Sequence, residues 1–344
     1  MPPKILLHGS GAVGTIYLYL LLKAGCDVTA VCRSNYEAAK ADGFHIDSDI
    51  YGKGIHIHPN IVRDPEEAAA AGQYDYLIVA CKALPDAKIA ETVSAAVTPG
   101  HTTIVLIQNG IDIEQEYASH FPENPLLSCV VYLPTTQIKP GYIEMGDLET
   151  LEMGPYPASA HNDEKVKASA DQLITLLKSA GGNAHYFQDI QEKRWNKLLL
   201  NASWNPICAL TLSRDAAFLL SSPESEGVIV EVMNEVIAIS KALGYSSVNE
   251  AAGQVGLNRA KDRIGTKGIE PSMLVDVLWN RRMEVEVILG NPLRKARQLG
   301  VQVPRIEMLY ILAKVLDDSI RFRQQGESLD GEKMLALFSS SDPR

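Results

Sequence analysis

The apolar residues in the first half of the chain fall in short runs, each bounded by a glycine or a polar turn. KILLHG (4–9), DVTAVCR (27–33), DYLIVAC (75–81) and TTIVLIQNG (102–110) are almost continuously apolar, as strands buried on both faces must be. Between the first two, VGTIYLYLLLKAG (13–25) has helical length and stops at Gly25, a natural position just past a helix. Shorter helical patterns cover 34–41, 64–71 and 86–97. This alternation predicts a parallel sheet with helices on both faces, completed by strand-rich residues 127–155 and a helix over 162–180.

Beyond about residue 188 the strand patterns stop. Helical periodicity covers 189–210, 224–243, 247–264, 271–288, 292–299 and 304–324. In NPLRKARQLG (291–300), Asn291 reads as a cap, Pro292 as the first helical residue and Gly300 as the terminator. The fold class is therefore α/β: a doubly wound sheet domain over 1–188 and an all-helical domain over 189–344. The tail after about 326 is expected to fray. A length of 344 residues suits two cores better than one.

Two polar features interrupt these apolar runs. The first is GSGAVG (9–14), a GxGxxG turn that ends a strand and opens a helix inside a βαβ unit. In that context Gly9 permits the tight turn, Gly11 lets a pyrophosphate approach the backbone, and Gly14 lets helix pack on strand. The backbone of Ser10, Ala12 and Val13 completes the anion cradle at the helix N-terminus. The competing reading is a glycine-rich turn without a ligand. The next strand ends in Arg33 and Ser34, with no acid before Glu37. A guanidinium suits a 2′-phosphate, which favours NADP over NAD; a plain surface arginine is the alternative. Lys82 and Asn109 follow later strands at equivalent places. The lysine suits the adenosine phosphates, and the amide suits the nicotinamide ribose or a substrate.

The second feature lies in WNKLLLNASWNP (195–206). Lys197, Asn201 and Asn205 are spaced four apart, so they drift only about 40° per step and share one helix face. Leu198, Leu199 and Ala202 take the packing side. Pro206 is expected to disrupt the helix and end the row. A lysine recessed in a cleft can act as a proton donor.

Composition narrows the field. The formal net charge of −10 argues against a phosphate-binding face for nucleic acid. No apolar run approaches the ~20 residues that span a bilayer, so no membrane partner is expected. The five cysteines include no CxxC pair and read as free thiols of a reducing compartment. A strand pattern begins at residue 4, so no presequence is expected; with the free thiols this suggests a cytoplasmic protein. His56 and His58 alternate along a strand and read as exposed polar positions, so no metal is expected.

GSGAVG, CKA (81–83), QNG (108–110), WNKLLLNASWNP and EPSMLVDV…MEVE (270–286) resemble, in order and spacing, the ketopantoate reductases (2-dehydropantoate 2-reductases). That family reduces 2-dehydropantoate to (R)-pantoate with NADPH, in the route to pantothenate. The resemblance implies a Rossmann domain joined to a helical domain, with NADP as cofactor and a small 2-oxo acid as substrate. It places the general-acid lysine at Lys197 and the substrate-binding residues at Asn109, Asn201, Asn205 and Ser272. It places the cleft glutamate at Glu284, which would orient the lysine, a ribose hydroxyl or the substrate. Asn109 also falls beside the nicotinamide, and Arg33 and Lys82 beside the adenosine phosphate. A homodimer through the helical domain is implied by the resemblance alone.

Departures from the pattern leave the substrate open. Asp215 stands where the family has an asparagine that contacts substrate, and its carboxylate would repel an anion unless it points away. Leu289 replaces the asparagine of a usual Ile-Asn-Gly, and Ile306 replaces an asparagine after the late proline. A reductase of another 2-oxo acid or an imine, and a non-catalytic NADP-binding sensor, are the alternatives.

Overall fold

A computed structural model describes residues 2–326, and the chain divides into two units at Arg194/Trp195. The first begins with β1 (Lys4–His8), α1 (Ala12–Lys23), β2 (Asp27–Val31), α2 (Tyr36–Asp42), β3 (Phe44–Ser48), β4 (Gly52–Ile57), β5 (Asn60–Val62) and α3 (Pro65–Ala69). It continues with β6 (Tyr76–Val79), α4 (Ile89–Val93), β7 (Thr103–Leu106), α5 (Glu114–His120) and β8 (Leu126–Tyr132). Then come β9 (Thr135–Lys139), β10 (Tyr142–Met145), β11 (Thr150–Pro155), α6 (Glu164–Ser179) and β12 (Ala184–Tyr186).

Eight strands form one sheet in the order β12-β11-β8-β7-β6-β1-β2-β5. All neighbours are parallel except β8 and β11. The chain leaves β1 on one side through β2 and returns on the other through β6. Strand order therefore reverses between β1 and β6, and doubly wound sheets bind ligands outside the carboxyl ends of the strands at such a point. Ile5 and Leu7 of β1 and Ile16, Tyr17 and Leu20 of α1 are fully buried together in its core. A second sheet, β4-β3-β10-β9, draws two of its strands from 127–155, one (β4) from the stretch around His56 read as a strand, and one (β3) from residues not assigned to a strand from sequence. The expected helix over 86–97 is only α4, flanked by 3₁₀ turns, because Lys88 takes a left-handed conformation (φ 43°) that interrupts it.

The helical unit holds most of α7 (Ile190–Thr211), then α8 (Asp215–Ser221), α9 (Ser225–Ala242), α10 (Glu250–Lys261), α11 (Ser272–Leu278), α12 (Asn291–Leu299) and α13 (Pro304–Gln324). Three expectations fail here. Pro206 lies inside α7 without ending it: the helix runs on to Thr211, and Ser203 and Thr211 hydroxyls bond back to the carbonyls of Leu199 and Ile207. The helix expected over 271–288 stops at Leu278, where Asn280 turns left-handed (φ 50°), and helical structure resumes as a π segment, Glu286–Gly290. That segment runs directly into α12, so Asn291 is already within the helix rather than at its N-cap position. Gly300 does terminate α12, with φ 69°. The division between units falls at Arg194/Trp195, inside α7, rather than at 188/189, because Arg194 is locked into the first unit. The expected frayed tail lies outside the described residues. Among the described residues no helix is long and apolar enough to cross a membrane.

Candidate functional site

The GSGAVG turn leaves β1 at the strand-order reversal. Gly9 adopts φ 106°, and a Cβ there would overlap the backbone of Cys81, lying 2.7 Å from its Cα. Gly14 is equally constrained: its Cβ would collide with the Gly9 carbonyl oxygen and touch Leu7 Cδ2 at 3.2 Å. Gly11 differs from both, since a Cβ there would meet nothing within 4 Å. The three glycines thus divide the work as the motif requires: two close the turn and one faces open space. α1 starts at Ala12 and Val13 with no side-chain cap, so its first amides point outward beside that space.

Ser10 and Asn35 brace the turn from β2. The Ser10 hydroxyl donates to the Val31 carbonyl at 3.0 Å, and Asn35 Nδ2 donates to the Ser10 carbonyl at 2.7 Å. Arg33 is exposed at the end of β2. Glu37, the first acid after it, is paired with Arg63 at 2.5 Å, and that guanidinium stacks on Tyr36 at 4.0 Å. His8, buried one residue before the turn, has its pKa lowered to about 4 by burial first and then by the Arg33 charge. Its Nδ1 has no hydrogen-bond partner. His8 therefore stays neutral at physiological pH.

Lys82 and Asn109, both half-buried, follow β6 and β7. The loop holding Asn109 is fixed by a residue the sequence did not single out. Arg194 Nη1 donates to the carbonyls of Gln108 (2.9 Å) and Gly110 (3.0 Å), on either side of Asn109. Nη2 donates to the Cys129 carbonyl at 3.0 Å. Nε lies 2.8 Å from Glu114 Oε1 and 2.7 Å from the Ser128 hydroxyl. Arg194 is 3% exposed and Glu114 0%. Glu114 Oε1 also accepts from Ser128 and Gln191, while its Oε2 is buried without a partner.

In the helical unit the polar row lies on α7 as spacing predicts. Lys197 and Asn201 are half-buried, and Asn205 is 4% exposed. Asn205 Oδ1 accepts from the Ser272 hydroxyl (3.2 Å) and the Met273 amide (3.3 Å). It thereby caps α11, whose own N-cap residue, Pro271, offers no side-chain acceptor. Two of the expected substrate residues are thus joined directly. Glu284 is buried in the irregular stretch before the π segment, and π segments recur at functional sites.

The departures from the family pattern all serve this unit's own packing. Asp215 is 1% exposed: Oδ2 takes Arg263 Nε at 2.8 Å, and Oδ1 takes the amides of Ala216 (2.7 Å) and Ile269 (2.8 Å). That carboxylate is neutralised and turned inward. Leu289 and Ile306 are fully buried apolar side chains.

Profiles described as "Ketopantoate reductase PanE/ApbA" and "Ketopantoate reductase PanE/ApbA C terminal" match residues 5–158 and 189–317. The chain belongs to the ketopantoate reductase family. A Nostoc protein named 2-dehydropantoate 2-reductase is 27% identical over 93% of this chain and 97% of its own. An uncharacterized Saccharomyces cerevisiae protein is 31% identical over 93% of this chain and 95% of its own. The solved 2-dehydropantoate 2-reductase of Methylococcus capsulatus is 33% identical, covers 92% of this chain and 97% of its own, and superposes with a TM-score of 0.79. A D-mandelate dehydrogenase solved with NADH and anilino(oxo)acetate has the same fold: TM-score 0.78 at 22% identity, over 92% of this chain and 99% of its own. The reductase family and its fold thus agree with the resemblance read from the motifs. Sequence reasoning missed Arg194 and Glu114, and no local signal marks them, since the partners of Arg194 lie 65–86 positions away along the chain.

Proposed function

We propose that this member of the ketopantoate reductase family is an NADPH-dependent reductase of a small 2-oxo acid, with 2-dehydropantoate as the first substrate to test. The observation that carries the reading is the glycine turn, where two closed glycines leave Gly11 open beside the uncapped start of α1. That cradle fits a dinucleotide pyrophosphate. Arg33 at the end of β2, with Glu37 already bound to Arg63, favours a 2′-phosphate over a bare ribose hydroxyl. Bound NADPH would supply the hydride.

The chain's own residues supply position and the proton. Asn109, held between two clamped carbonyls, suits the nicotinamide ribose or the substrate. Asn201 and the amide nitrogen of Asn205 donate to the 2-oxo acid, with the Ser272 hydroxyl beside them. Lys197 stabilises charge developing on the ketone oxygen and then protonates it, and Glu284 orients the lysine or a hydroxyl. General-acid assistance of this kind contributes about 10²–10⁴ in rate. Lys197→Ala should therefore lower kcat by about that factor while the NADPH dissociation constant stays within about twofold. Unchanged kcat would refute the assignment.

A different 2-oxo acid is the second reading, favoured by Leu289 and Ile306, which replace amides with apolar core residues. A homodimer belongs to the same proposal. α13 exposes Met308, Ile311, Leu312 and Val315 along one stripe, with Glu307 in its first turn and Arg321 and Arg323 in its last. Antiparallel pairing with a second copy would set acid opposite base. Light scattering should find a dimer that Ile311→Lys disrupts; a monomeric parent would reject this part.

A further inference from the structure

We propose that Asp42, His45 and His56 form a binding site for one divalent transition-metal ion of the zinc type, which staples the end of α2 to the β3–β4 hairpin. His45 and His56 are direct cross-strand partners in the antiparallel β3–β4 pair. Their rings stack at 4.0 Å, and Tyr142 of β10 stacks on the His45 ring at 4.3 Å and 7°. Asp42 reaches them because the chain turns sharply at Gly43 (φ 63°). A Cβ at Gly43 would overlap the Ile57 carbonyl oxygen and stand 2.9 Å from His58 Nδ1, so only glycine lets α2 end this close to β4.

Asp42 Oδ2 lies 2.8 Å from His45 Nε2, and Oδ1 lies 3.6 Å from His56 Nε2. All three ligand atoms fall within 4.8 Å of one another. Donors about 2.0–2.1 Å from a tetrahedral zinc stand roughly 3.3 Å apart, a value these two separations straddle. Two imidazoles and a carboxylate are the donor set that zinc and its neighbours prefer. To aim both Nε2 lone pairs at one point the two rings tilt out of their 17° stack, and His56 Nε2 exchanges its bond to the Asp42 carbonyl oxygen (2.6 Å) for the ion. His45 would then carry its proton on Nδ1 instead of sharing it from Nε2 with Asp42. Water fills the open position, or His58 does, its ring lying 4.2 Å from His56. Among the described residues Asp42 has ion-pair partners only in His45 and His56, so the ion would replace no lysine or arginine.

The test is calorimetric titration of Zn²⁺ alone into tag-free protein at neutral pH. One ion should bind per chain. His45→Ala and Asp42→Asn should each weaken binding about tenfold or more, and His185→Ala, on the distant strand β12, should not. Co²⁺ in the unaltered protein gives a second readout that does not depend on a variant folding. Visible d–d bands without thiolate charge transfer are expected. Absence of saturable binding, affinity unchanged in His45→Ala/His56→Ala, or thiolate bands would overturn the proposal.

Discussion

Replacing Arg194 by methionine tests how the Asn109 loop is held. The substitution keeps the aliphatic stem and deletes a guanidinium that is 3% exposed. Three carbonyls, those of Gln108, Gly110 and Cys129, lose their donor, and Glu114 becomes an uncompensated carboxylate at 0% exposure. Breaking a buried pair on one side costs about 3–5 kcal/mol, most of it from the stranded charge. Glu114 retains Ser128 and Gln191 as donors, which puts the expected loss toward the lower end of that range. Removing the charge as well, in Arg194→Met/Glu114→Leu, should recover about 2 kcal/mol. The three tryptophans, Trp195, Trp204 and Trp279, all lie in the helical unit and Trp195 adjoins the substitution, so a probe within the sheet unit is needed. Hydrogen exchange of peptides covering β7 and β8 is the suitable assay. Single-variant effects that simply add in the double variant would refute the buried-pair argument.

Three further outcomes follow from the sheet unit. Gly11→Ala should leave stability within about 1 kcal/mol, the scale of an altered helix cap, yet weaken NADPH binding at least tenfold by calorimetry. Gly14→Ala should instead destabilise the unit by about 1–3 kcal/mol or more, because its Cβ meets the Gly9 carbonyl; equal effects of the two would contradict the division of roles. His8 has a folded-state pKa of about 4 against 6.5 unfolded, so the native chain binds fewer protons between those values. Stability should be full above about pH 6.5 and fall by about 3 kcal/mol as pH drops through about 4. Urea denaturation of His8→Gln should show a flatter acid limb, and an identical limb would reject this cause.

What the sequence made legible was local. Gly9, Gly11 and Gly14 act within six consecutive residues, and the Lys197–Asn201–Asn205 row is a consequence of helical pitch alone. The rest depended on pairings across the chain. Nothing near Asp215 announces Arg263, and nothing near Arg194 announces the loop at Asn109. Asp42 and His56 meet only because β3 and β4 form a hairpin whose polar alternation gave no core-facing signal. Pro206 misled because its missing amide bond was outweighed by a helix otherwise committed to packing. Asn291 misled because a π segment already supplied the helix it was expected to start.

Hydride transfer from NADPH to a 2-oxo acid is read out by steady-state nucleotide oxidation. NADPH and NADH are each compared with 2-dehydropantoate and with a panel of other 2-oxo acids. Turnover is expected with at least one 2-oxo acid, with a clear preference for NADPH that Arg33→Ala erases. Oxidation of neither nucleotide with any 2-oxo acid would contradict it.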